Sequence, residues 1–573
     1  MVDLQNSLVD ILSWRANHQP HKLAYRFQLD GENDELSITY KELDLKARSI
    51  GSTLQNYTKK FDRVILLLPC GLEFIAAFLG CLYARVIAIP LPPPHPARVK
   101  KTLAATLRII KDANPSVALL DSSLLKSINS QTDIKSQLSK LTLIPIDQEN
   151  MMENPERWVK PGAIPEEIAF LQYTSGSTLS PRGVMISHGN LLSNLYHIEK
   201  SFEQNSRSRT VIWLPPYHDM GLIGGILQPL FTGNIVTLMP HLMFLQRPIR
   251  WLKAISRFRA TTSGGPNFAY ELCLRKIRPD QLEGLDLSSW DVAFNGAEPI
   301  NLETLERFSE YFAPCGFRPE AFLTCYGLAE ATLMVSGVSK AKIPEFKRLN
   351  KRELANHRAI NSSSPENSLP VVSCGQVSEL STLMIVNPES LMPCAANEIG
   401  EVWISGPNVA SGYWNRPLDT VSTFQAQLRS ENNATFLRTG DLGFIDEGEL
   451  FITGRLKNMV IIDGKNYYPH DIERTVEKSH QDIQTGGCAV FSFEKSGNEV
   501  LVVLVEIRRN SDLNKTELLK DIRKAISEEY ELPVFDIKLT VTGSIPRTTS
   551  GKIMHFLCKE KYLQGTLNEN AVI

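Results

Sequence analysis

Short apolar runs alternate with longer apolar segments in the first part of the chain. Residues 64–68 form an apolar run that ends at a proline and predicts a buried strand, residues 74–83 have helical character, and residues 86–89 predict another strand. A strand, a helix and a strand at this spacing form a βαβ unit, which requires a parallel sheet covered by helices. A helix-like segment followed by a strand-like run recurs at residues 97–120. The pattern therefore predicts one large α/β body with several subdomains over residues 1–453.

The last part of the chain, residues 454–573, has a different pattern. Two strand-like runs flank the polar, glycine-containing segment 494–498, which is a hairpin signal. Asn514, with Glu517 three residues later, predicts the start of an amphipathic helix, and residues 537–541 predict a further strand. The pattern therefore favours a small α+β domain that follows the large body.

A polar stretch near residues 342–370 interrupts the large body. Its first half is rich in charged residues, and its second half is rich in serine, asparagine and proline. From the pattern alone, the ordinary interpretation of such a stretch is a surface loop.

Composition narrows the class of protein. The chain has 573 residues, which is too long for one core, and a net charge of −2, which gives no electrostatic case for nucleic acid as a partner. Its nine cysteines are scattered and none is spaced as C-x-x-C, which favours reduced thiols over a zinc site or a disulfide framework. We find no signal peptide and no transmembrane segment, and we expect a cytoplasmic protein.

Residues 171–184, LQYTSGSTLSPRGV, concentrate small hydroxyl residues, glycines and one cation between two apolar runs. Glycine lets backbone N–H groups approach a ligand closely, hydroxyls add donors, and Arg182 carries a permanent charge. The candidate polyphosphate-binding residues are Thr174, Ser175, Gly176, Ser177, Thr178, Arg182 and Gly183. The spacing excludes the ATPase-type P-loop, and a segment of this composition taken alone is more often a solvated turn.

Residues 326–330, YGLAE, follow a strand-like run and are predicted to open a helix. An aromatic ring at the end of a strand can stack on a purine, and the Glu330 carboxylate could bind Mg²⁺. The alternative is a packed Tyr326 and an ordinary acid in the first turn of a helix, and residue type alone favours this alternative.

Three more candidates lie further along the chain. Asp441 is predicted to sit in a turn, where its carboxylate could accept hydrogen bonds from two ribose hydroxyls. Arg455 could reach a ribose or a phosphate. Lys552 ends a second loop rich in threonine, serine and glycine, although a lone lysine there is more often a solvated surface residue.

The order of these segments is more specific than any one of them. TSGST…PRG, YGLAE, TGD, GR and PRTTSGK, in this order, resemble the adenylate-forming superfamily of acyl-CoA synthetases, luciferases and peptide-synthetase adenylation domains almost from end to end. Within it the chain most resembles fatty acyl-AMP ligases. LPPYHDMGL at 214–222, FNGAEP at 294–299 and the extra polar stretch before residue 372 carry this resemblance.

The resemblance implies that ATP activates a medium- or long-chain fatty acid to an acyl-adenylate with release of pyrophosphate. The acyl group would then pass to the phosphopantetheine thiol of an acyl carrier protein, or of a carrier domain in a polyketide or peptide synthase. An insertion near residues 342–370 would hinder the domain movement that lets coenzyme A react.

The resemblance also implies individual roles. Lys552 would swing in from the small domain to bridge the carboxylate and the α-phosphate, with Lys457 at the hinge. Arg182 would bind phosphate, Glu330 would bind Mg²⁺, and His218 would lie at the entrance of the acyl site. The alternative for His218, a structural histidine with its hydrogen bonds satisfied, stays open. The residues that would hold the nucleotide, besides the phosphate loop, are Gly296, Ala297, Glu298, Cys325, Tyr326, Gly327, Asp441 and Arg455.

This sequence departs from the superfamily pattern in the phosphate loop, where Leu179 replaces a usual glycine and Arg182 a usual lysine.

Two other functions stay open. A conventional fatty acyl-CoA ligase would use the same adenylation residues. A non-catalytic acyl or nucleotide binder is a different class of protein. The presence of four residues together argues against it, namely Glu330, Asp441, Arg455 and Lys552.

Overall fold

The structure is a computed structural model of the 573-residue chain. It describes residues 6–95, 99–148, 152–174, 181–430, 434–462, 465–495, 498–508, 514–548 and 551–567. Within these ranges, none of the helices combines the length and the apolar character that crossing a bilayer requires.

The helices of the described chain are α1 (Leu8–His18), α2 (Tyr40–Tyr57), α3 (Leu72–Ala84), α4 (Val99–Ala113), α5 (Ser122–Asn129), α6 (Thr132–Gln137), α7 (His188–Phe202), α8 (Gln228–Thr232), α9 (His241–Gln246), α10 (Ile249–Phe258), α11 (Asn267–Lys276), α12 (Leu302–Phe312), α13 (Lys351–Ala355), α14 (Pro417–Phe424), α15 (Pro469–Ser479), α16 (Lys515–Tyr530) and α17 (His555–Leu563).

The strands are β1 (Leu23–Gln28), β2 (Glu35–Thr39), β3 (Arg63–Leu67), β4 (Ile87–Pro90), β5 (Val117–Leu120), β6 (Thr142–Pro145), β7 (Ile168–Thr174), β8 (Arg182–Ser187), β9 (Arg209–Ile212), β10 (Ile235–Leu238), β11 (Thr262–Gly265), β12 (Val292–Asn295), β13 (Phe322–Gly327), β14 (Met334–Gly337), β15 (Phe346–Asn350), β16 (Ser368–Val372), β17 (Gln376–Val377), β18 (Thr382–Val386), β19 (Gly400–Ser405), β20 (Leu437–Asp446), β21 (Glu449–Arg455), β22 (Val460–Ile462), β23 (Lys465–Tyr467), β24 (Ile483–Lys495), β25 (Asn498–Ile507) and β26 (Val534–Val541).

Two large sheets form the centre of the molecule. One has the strand order β17-β14-β13-β12-β11-β9-β10-β1-β2, and the other has the order β6-β5-β3-β4-β7-β8. The predicted βαβ unit is confirmed, since β3 and β4 are parallel neighbours joined by α3. Every residue of α3 from 74 to 84 is buried, as expected for a helix that is apolar on all sides and packed within the core.

A four-stranded antiparallel sheet, β18-β19-β20-β21, follows the two large sheets. Its last strand continues through Gly454 to Arg455, and a separate hydrophobic core begins at Val460. An alanine Cβ at position 454 would lie 2.3 Å from the ring of Tyr468, so the chain that leads into the small unit folds back closely on β21.

The small C-terminal unit agrees with its sequence pattern. β24 and β25 form the predicted hairpin, and β26 adds to it in parallel. Asn514 is the N-cap of α16 and accepts a hydrogen bond from the backbone N–H of Glu517. The helix buries three apolar residues along one face, namely Leu518, Ile522 and Ile526.

The surface-loop interpretation of residues 342–370 is wrong. β15 and β16 pair as an antiparallel hairpin, and α13 lies in the connection between them. Leu349 and Leu354 are buried in one cluster with Phe444, Phe451 and Tyr468. The hairpin was not predicted because charged residues occupy the solvent-facing positions around a few buried apolar residues. The alternation of apolar and polar residues that marks a strand is therefore hard to see.

Candidate active site

The candidate residues gather where strands of three sheets end or turn. Two local expectations are wrong. Tyr326 and Gly327 are the last residues of β13, and Glu330 lies in a single 3₁₀ turn that leads into antiparallel β14 rather than in a helix. Asp441 lies inside β20 rather than in a turn, and it pairs in register with Arg455 on β21. Strand pairing between distant segments decides both positions, and local turn signals do not record it.

Asp441 forms the centre of the first cluster. Its Oδ2 accepts a hydrogen bond from the Tyr326 hydroxyl at 2.7 Å, and its Oδ1 lies 3.1 Å from Nε of Arg455. The charge of Asp441 raises the pKa of the Arg455 guanidinium. Burial, followed by the Asp441 charge, raises the pKa of Tyr326, which keeps the phenol neutral and donating.

Glu330 forms the centre of the second cluster. Its Oε1 accepts a hydrogen bond from the Tyr413 hydroxyl at 2.7 Å, and the guanidinium of Arg182 lies over the Tyr413 ring, 5.2 Å from its centroid. Arg182 also pairs with Asp419 at 3.5 Å. The Glu330 charge contributes to the raised pKa of Arg455, so the two clusters are neighbours.

Tyr413 was missed in the sequence. Residues 410–414 extend along β8, with Met185 N–H bonded to the Gly412 carbonyl at 2.9 Å and Trp414 N–H bonded to the Gly183 carbonyl at 2.8 Å. Their place beside β8 depends on contacts more than 200 residues apart in the chain, and no local motif marks them.

The predicted phosphate loop joins β7 to β8. Thr174 and Arg182 form the last pair of this hairpin, and the candidates Ser175, Gly176, Ser177 and Thr178 lie outside the described residues. A Cβ at Gly183 would lie 2.9 Å from the Tyr173 ring, so only glycine lets this ring cross β8. The Tyr173 hydroxyl donates to Asp112 at 2.7 Å, which fixes the base of the hairpin.

Gly296, Ala297 and Glu298 follow β12, next to the end of β13. A Cβ at Gly296 would lie 2.6 Å from the Cys325 carbonyl oxygen, and Ala297 has a φ of +70°, an unfavourable angle for a residue with a side chain. Burial raises the pKa of the Cys325 thiol to about 12, so it packs as a neutral group. Glu298 Oε1 accepts the backbone N–H of Phe268 at 2.5 Å.

Lys552 is exposed on a loop of the small unit. Burial raises the pKa of Glu298 and of Asp219, and the Lys552 ammonium acts on both pKa values in the opposite direction. Lys552 therefore faces the same space as these two carboxylates.

Asp219 lies beside the predicted His218, and no role was predicted for it. Its Oδ1 accepts the backbone N–H of Met220 at 2.8 Å at the start of a π-helical segment, Met220–Leu227. π-Helical turns often occur at functional sites. His218 is half-buried, with its ring centroid 5.1 Å from that of Tyr217.

The structure thus brings together most of the predicted residues that it describes. Arg182 and Glu330 meet at Tyr413, the Glu330 charge acts on Arg455, and Lys552 of the small unit acts on Glu298 and Asp219. Cations that converge on a partly closed site suit a reaction between anions, because they offset the repulsion between the reactants. A site of this kind, on a large α/β body with a small second unit, defines an enzyme that activates a carboxylate with a nucleotide.

Comparisons with known proteins agree with this class. The family model "AMP-binding enzyme" matches residues 12–414, and the model "Disco-interacting protein 2-like, AMP domain" matches residues 457–572. The medium-chain-fatty-acid–[acyl-carrier-protein] ligase JamA of Moorena producens is 43% identical over 98% of this chain and 96% of its own. The chain belongs to the AMP-binding enzymes and, within them, to the fatty acyl-AMP ligases of the adenylate-forming superfamily.

Solved structures support the same assignment. A fatty acyl-adenylate ligase of L. pneumophila in complex with acyl adenylate and pyrophosphate is 40% identical, with a TM-score of 0.77 and coverage of 98% of this chain and 97% of that one. A structure from a study of fatty acyl-adenylate ligases of E. coli and L. pneumophila is 31% identical, with a TM-score of 0.89 and coverage of 99% of both chains. The predicted resemblance and fold class are confirmed, and the protein is an adenylate-forming ligase that uses ATP.

Proposed function

We propose that the protein activates a medium- or long-chain fatty acid as its acyl-adenylate and transfers the acyl group to the phosphopantetheine thiol of an acyl carrier protein or of a carrier domain in a synthase. The observation that carries this proposal is the position of Lys552, which reaches from the small unit toward Glu298 and Asp219 on the body. A fatty-acid carboxylate that attacks the α-phosphate of ATP meets another anion, so catalysis consists mainly of positioning and charge neutralisation.

Each cluster has a proposed part in holding ATP. Asp441 binds the ribose hydroxyls, with Arg455 and Tyr326 holding its carboxylate in place. Tyr326 stacks on the adenine beside the 296–298 segment. The loop between Thr174 and Gly183 wraps the β- and γ-phosphates, and Arg182 supplies its cation. Lys552 bridges the fatty-acid carboxylate and the α-phosphate.

Glu330 is the proposed ligand for Mg²⁺. Its carboxylate is the hard oxygen donor that Mg²⁺ prefers, and the Tyr413 hydroxyl orients it through Oε1. Within the described ranges, no three side chains of the metal-binding types converge on one point. Because Mg²⁺ commonly takes one or two carboxylates together with substrate phosphates and waters, a single glutamate beside the phosphate loop fits this ion. When bound, Mg²⁺ would neutralise charge on the ATP phosphates.

The insertion supports a carrier thiol rather than coenzyme A as the acceptor. The Ala355 carbonyl accepts a hydrogen bond from Asn466 of the small unit at 3.1 Å, and Lys351 forms an ion pair with Glu529 on α16. Leu354 shares a buried cluster with Tyr468 at the start of α15. The insertion thus braces the small unit in the orientation that presents Lys552, which opposes the rotation that a coenzyme A site would need.

The nine cysteines are free thiols. This supports a reducing compartment, and we include a cytoplasmic location in the proposal.

The test is a product analysis with ATP, Mg²⁺ and dodecanoate, with and without coenzyme A, for the wild-type protein, Lys552→Ala and the control Lys524→Ala. Lys524 is an exposed lysine of the same unit, paired with Glu528 at 3.8 Å. We expect acyl-AMP that persists in the presence of coenzyme A for the wild type and the control, and none for Lys552→Ala. Rapid formation of acyl-CoA would favour a coenzyme A ligase, and no adenylate from a series of acids would refute the proposal.

A further inference from the structure

Hydrogen bonds join the two arms of the chain on either side of the loop that carries Lys552. Thr548 N–H donates to the Lys552 carbonyl at 2.8 Å, and Lys552 N–H donates to Thr548 Oγ1 at 3.1 Å. Next to this loop, Met554 N–H donates to the Pro546 carbonyl at 3.0 Å, and Arg547 and Ile553 form a β-bridge. Lys552 is exposed and begins the arm that leaves the loop, so the groups that hold these two arms determine where its ammonium points.

A buried carboxylate of β25 holds the arm that enters the loop. Glu506 is 2% exposed, and its Oε1 accepts the backbone N–H groups of Gly543 at 2.9 Å and Ile545 at 2.8 Å. Its Oε2 lies 3.7 Å from the Arg547 guanidinium, which also donates to the Gly551 carbonyl at 3.2 Å. Arg547 therefore ties Glu506 to both arms of the loop.

A second carboxylate, on α15, holds the arm that leaves the loop. Glu473 is 9% exposed, and its Oε1 lies 2.7 Å from Nε2 of His555. The same oxygen accepts the backbone N–H of Val490 at 2.9 Å, which fixes the carboxylate against β24. His555 is the first residue of α17, only three positions after Lys552.

Two buried carboxylates on either side of one short loop require an explanation. Replacing a buried ion pair by apolar residues often leaves stability unchanged or improves it, so a gain in stability alone explains the Glu473–His555 pair poorly. Arg547 is exposed, but the Glu506 carboxylate that it meets is buried and is held by two backbone N–H groups, so both carboxylates have few alternative arrangements. We infer that the Glu473–His555 and Glu506–Arg547 pairs are positioning elements that aim Lys552 at the reacting carboxylate and α-phosphate.

This inference rests on the proposed function, in which Lys552 acts in adenylation. It adds four residues to which neither the sequence motifs nor the proposed mechanism gives a role. All four belong to the small unit, and the charge of Arg547, like that of Lys552, also acts on Glu298 of the body. We assign them an action through the lysine rather than on the substrate.

The Glu473–His555 pair makes the positioning sensitive to pH. Burial lowers the pKa of His555, but the charge and the hydrogen bond of Glu473 outweigh it and leave the pKa raised above its usual value. Among the described residues, the other charged and titratable groups that act on the pair or its neighbours are Arg474, Glu477, Glu506, Arg547, Cys488, Cys558 and Lys561. Since the pKa of His555 is raised, the pair is charged at lower pH and loses its charge as the pH rises through the folded-state pKa.

The experiment measures pyrophosphate release from ATP and dodecanoate for His555→Ala, His555→Arg, Glu473→Gln and Lys552→Ala. Glu528→Gln is the control, since Glu528 is an exposed partner in an ion pair elsewhere in the small unit. We expect kcat to fall about 10- to 100-fold in His555→Ala and Glu473→Gln, because a small misplacement of a catalytic group costs this much. The KM for ATP should change little, because the proposed nucleotide contacts lie on the body. Removing one partner of a buried pair lowers stability, so the assay is run well below the melting temperature of every variant. His555→Arg should recover most of the lost rate.

The pH profile separates positioning from a purely structural role. The ratio of wild-type kcat to His555→Arg kcat should fall as the pH rises, since arginine keeps its proton. Glu477, with a pKa raised by burial to about 7, titrates in the same range but is present in both proteins and cancels in the ratio.

Three results would overturn the inference: an unchanged kcat in His555→Ala, a parallel loss of melting temperature without recovery in His555→Arg, or a ratio independent of pH. If Lys552→Ala itself keeps the wild-type rate, the role proposed for Lys552 fails first, and the two failures are thereby distinguished.

Discussion

Asp441→Asn removes a charge from the proposed ribose site and keeps the shape of the side chain. In the structure both carboxylate oxygens are engaged, one by the Tyr326 hydroxyl at 2.7 Å and one by Arg455 Nε at 3.1 Å. The asparagine amide can replace only one of the two acceptors, since its nitrogen is a donor. The change therefore weakens the hydrogen bond to the remaining oxygen and places the amide nitrogen, a donor, opposite another donor.

The size of the effect follows from these two contacts. Hydrogen bonds to charged groups contribute about 1.5–3 kcal/mol, against about 0.5–1.5 kcal/mol for neutral pairs, so each bond to Asp441 weakens by roughly 1 kcal/mol. The hydrogen bonds that the carboxylate is proposed to accept from two ribose hydroxyls weaken by the same amount. For these two bonds together, a total of about 2 kcal/mol corresponds to a decrease of roughly 30-fold in kcat/KM for ATP. The Arg455 side chain is 53% exposed, so its lost ion pair should cost little stability.

The assay is steady-state pyrophosphate release at saturating dodecanoate with ATP varied. Asp280→Asn is the matched control, because Asp280 forms an exposed ion pair with Arg278 at 2.9 Å far from the site. We expect a KM for ATP many-fold higher in Asp441→Asn and unchanged in the control, with similar melting temperatures. A KM for ATP within twofold of the wild-type value would show that Asp441 does not contact the nucleotide.

Three further changes test other parts of the molecule. Tyr413→Phe removes the 2.7 Å hydrogen bond to Glu330 but keeps the ring under Arg182, so kcat/KM should fall roughly 10- to 100-fold at unchanged melting temperature, and kinetics at varied Mg²⁺ would check it. Burial raises the pKa of Glu477 from 4.5 to about 7, so the folded state retains a proton that the unfolded state loses in this window. Wild-type stability relative to Glu477→Gln should therefore fall by roughly 3 kcal/mol as the pH rises through the window, as denaturant unfolding at pH values of about 4 and about 8 would show. Gly183→Ala would place a Cβ 2.9 Å from the Tyr173 ring and should lower the melting temperature by an amount equivalent to about 1–3 kcal/mol in a thermal scan.

Local signals in the sequence predicted the helices and strands that are determined by residues close to one another in the chain. The N-cap at Asn514 and the apolar stripe that follows it identified α16, and an apolar run on each side of α3 identified a parallel pair of strands. The hairpin formed by β15 and β16 was missed because its burial depends on Phe444 and Phe451, which lie about 100 residues further along the chain. Burial by distant partners leaves no local pattern.

The same distinction holds for the site. Motifs named Glu330, Asp441 and Lys552 because each lies in a short, specific segment. Tyr413 contacts Glu330 only through a segment that pairs with β8, and Asp219 faces Lys552 across the junction of two units. A residue that lies on another element and orients or faces a motif residue can be identified only in the folded structure.

The contacts that dock the small unit suit a lysine that must arrive and later withdraw. Lys478 pairs with Glu303 at 2.6 Å, but their side chains are 62% and 46% exposed, and such surface pairs contribute at most about 1 kcal/mol. A cleft of about 540 Å³ remains between α12, the insertion and α15, so this junction is not closely packed. Among the described residues, apolar burial across it includes a small cluster with Leu354 and Tyr468. Weak ion pairs permit release of the small unit, whereas this cluster and the Asn466 bond to the insertion restrict how far it turns. A restraint of this kind would favour an acceptor that reaches the adenylate on a long, flexible arm, as the phosphopantetheine of a carrier protein does.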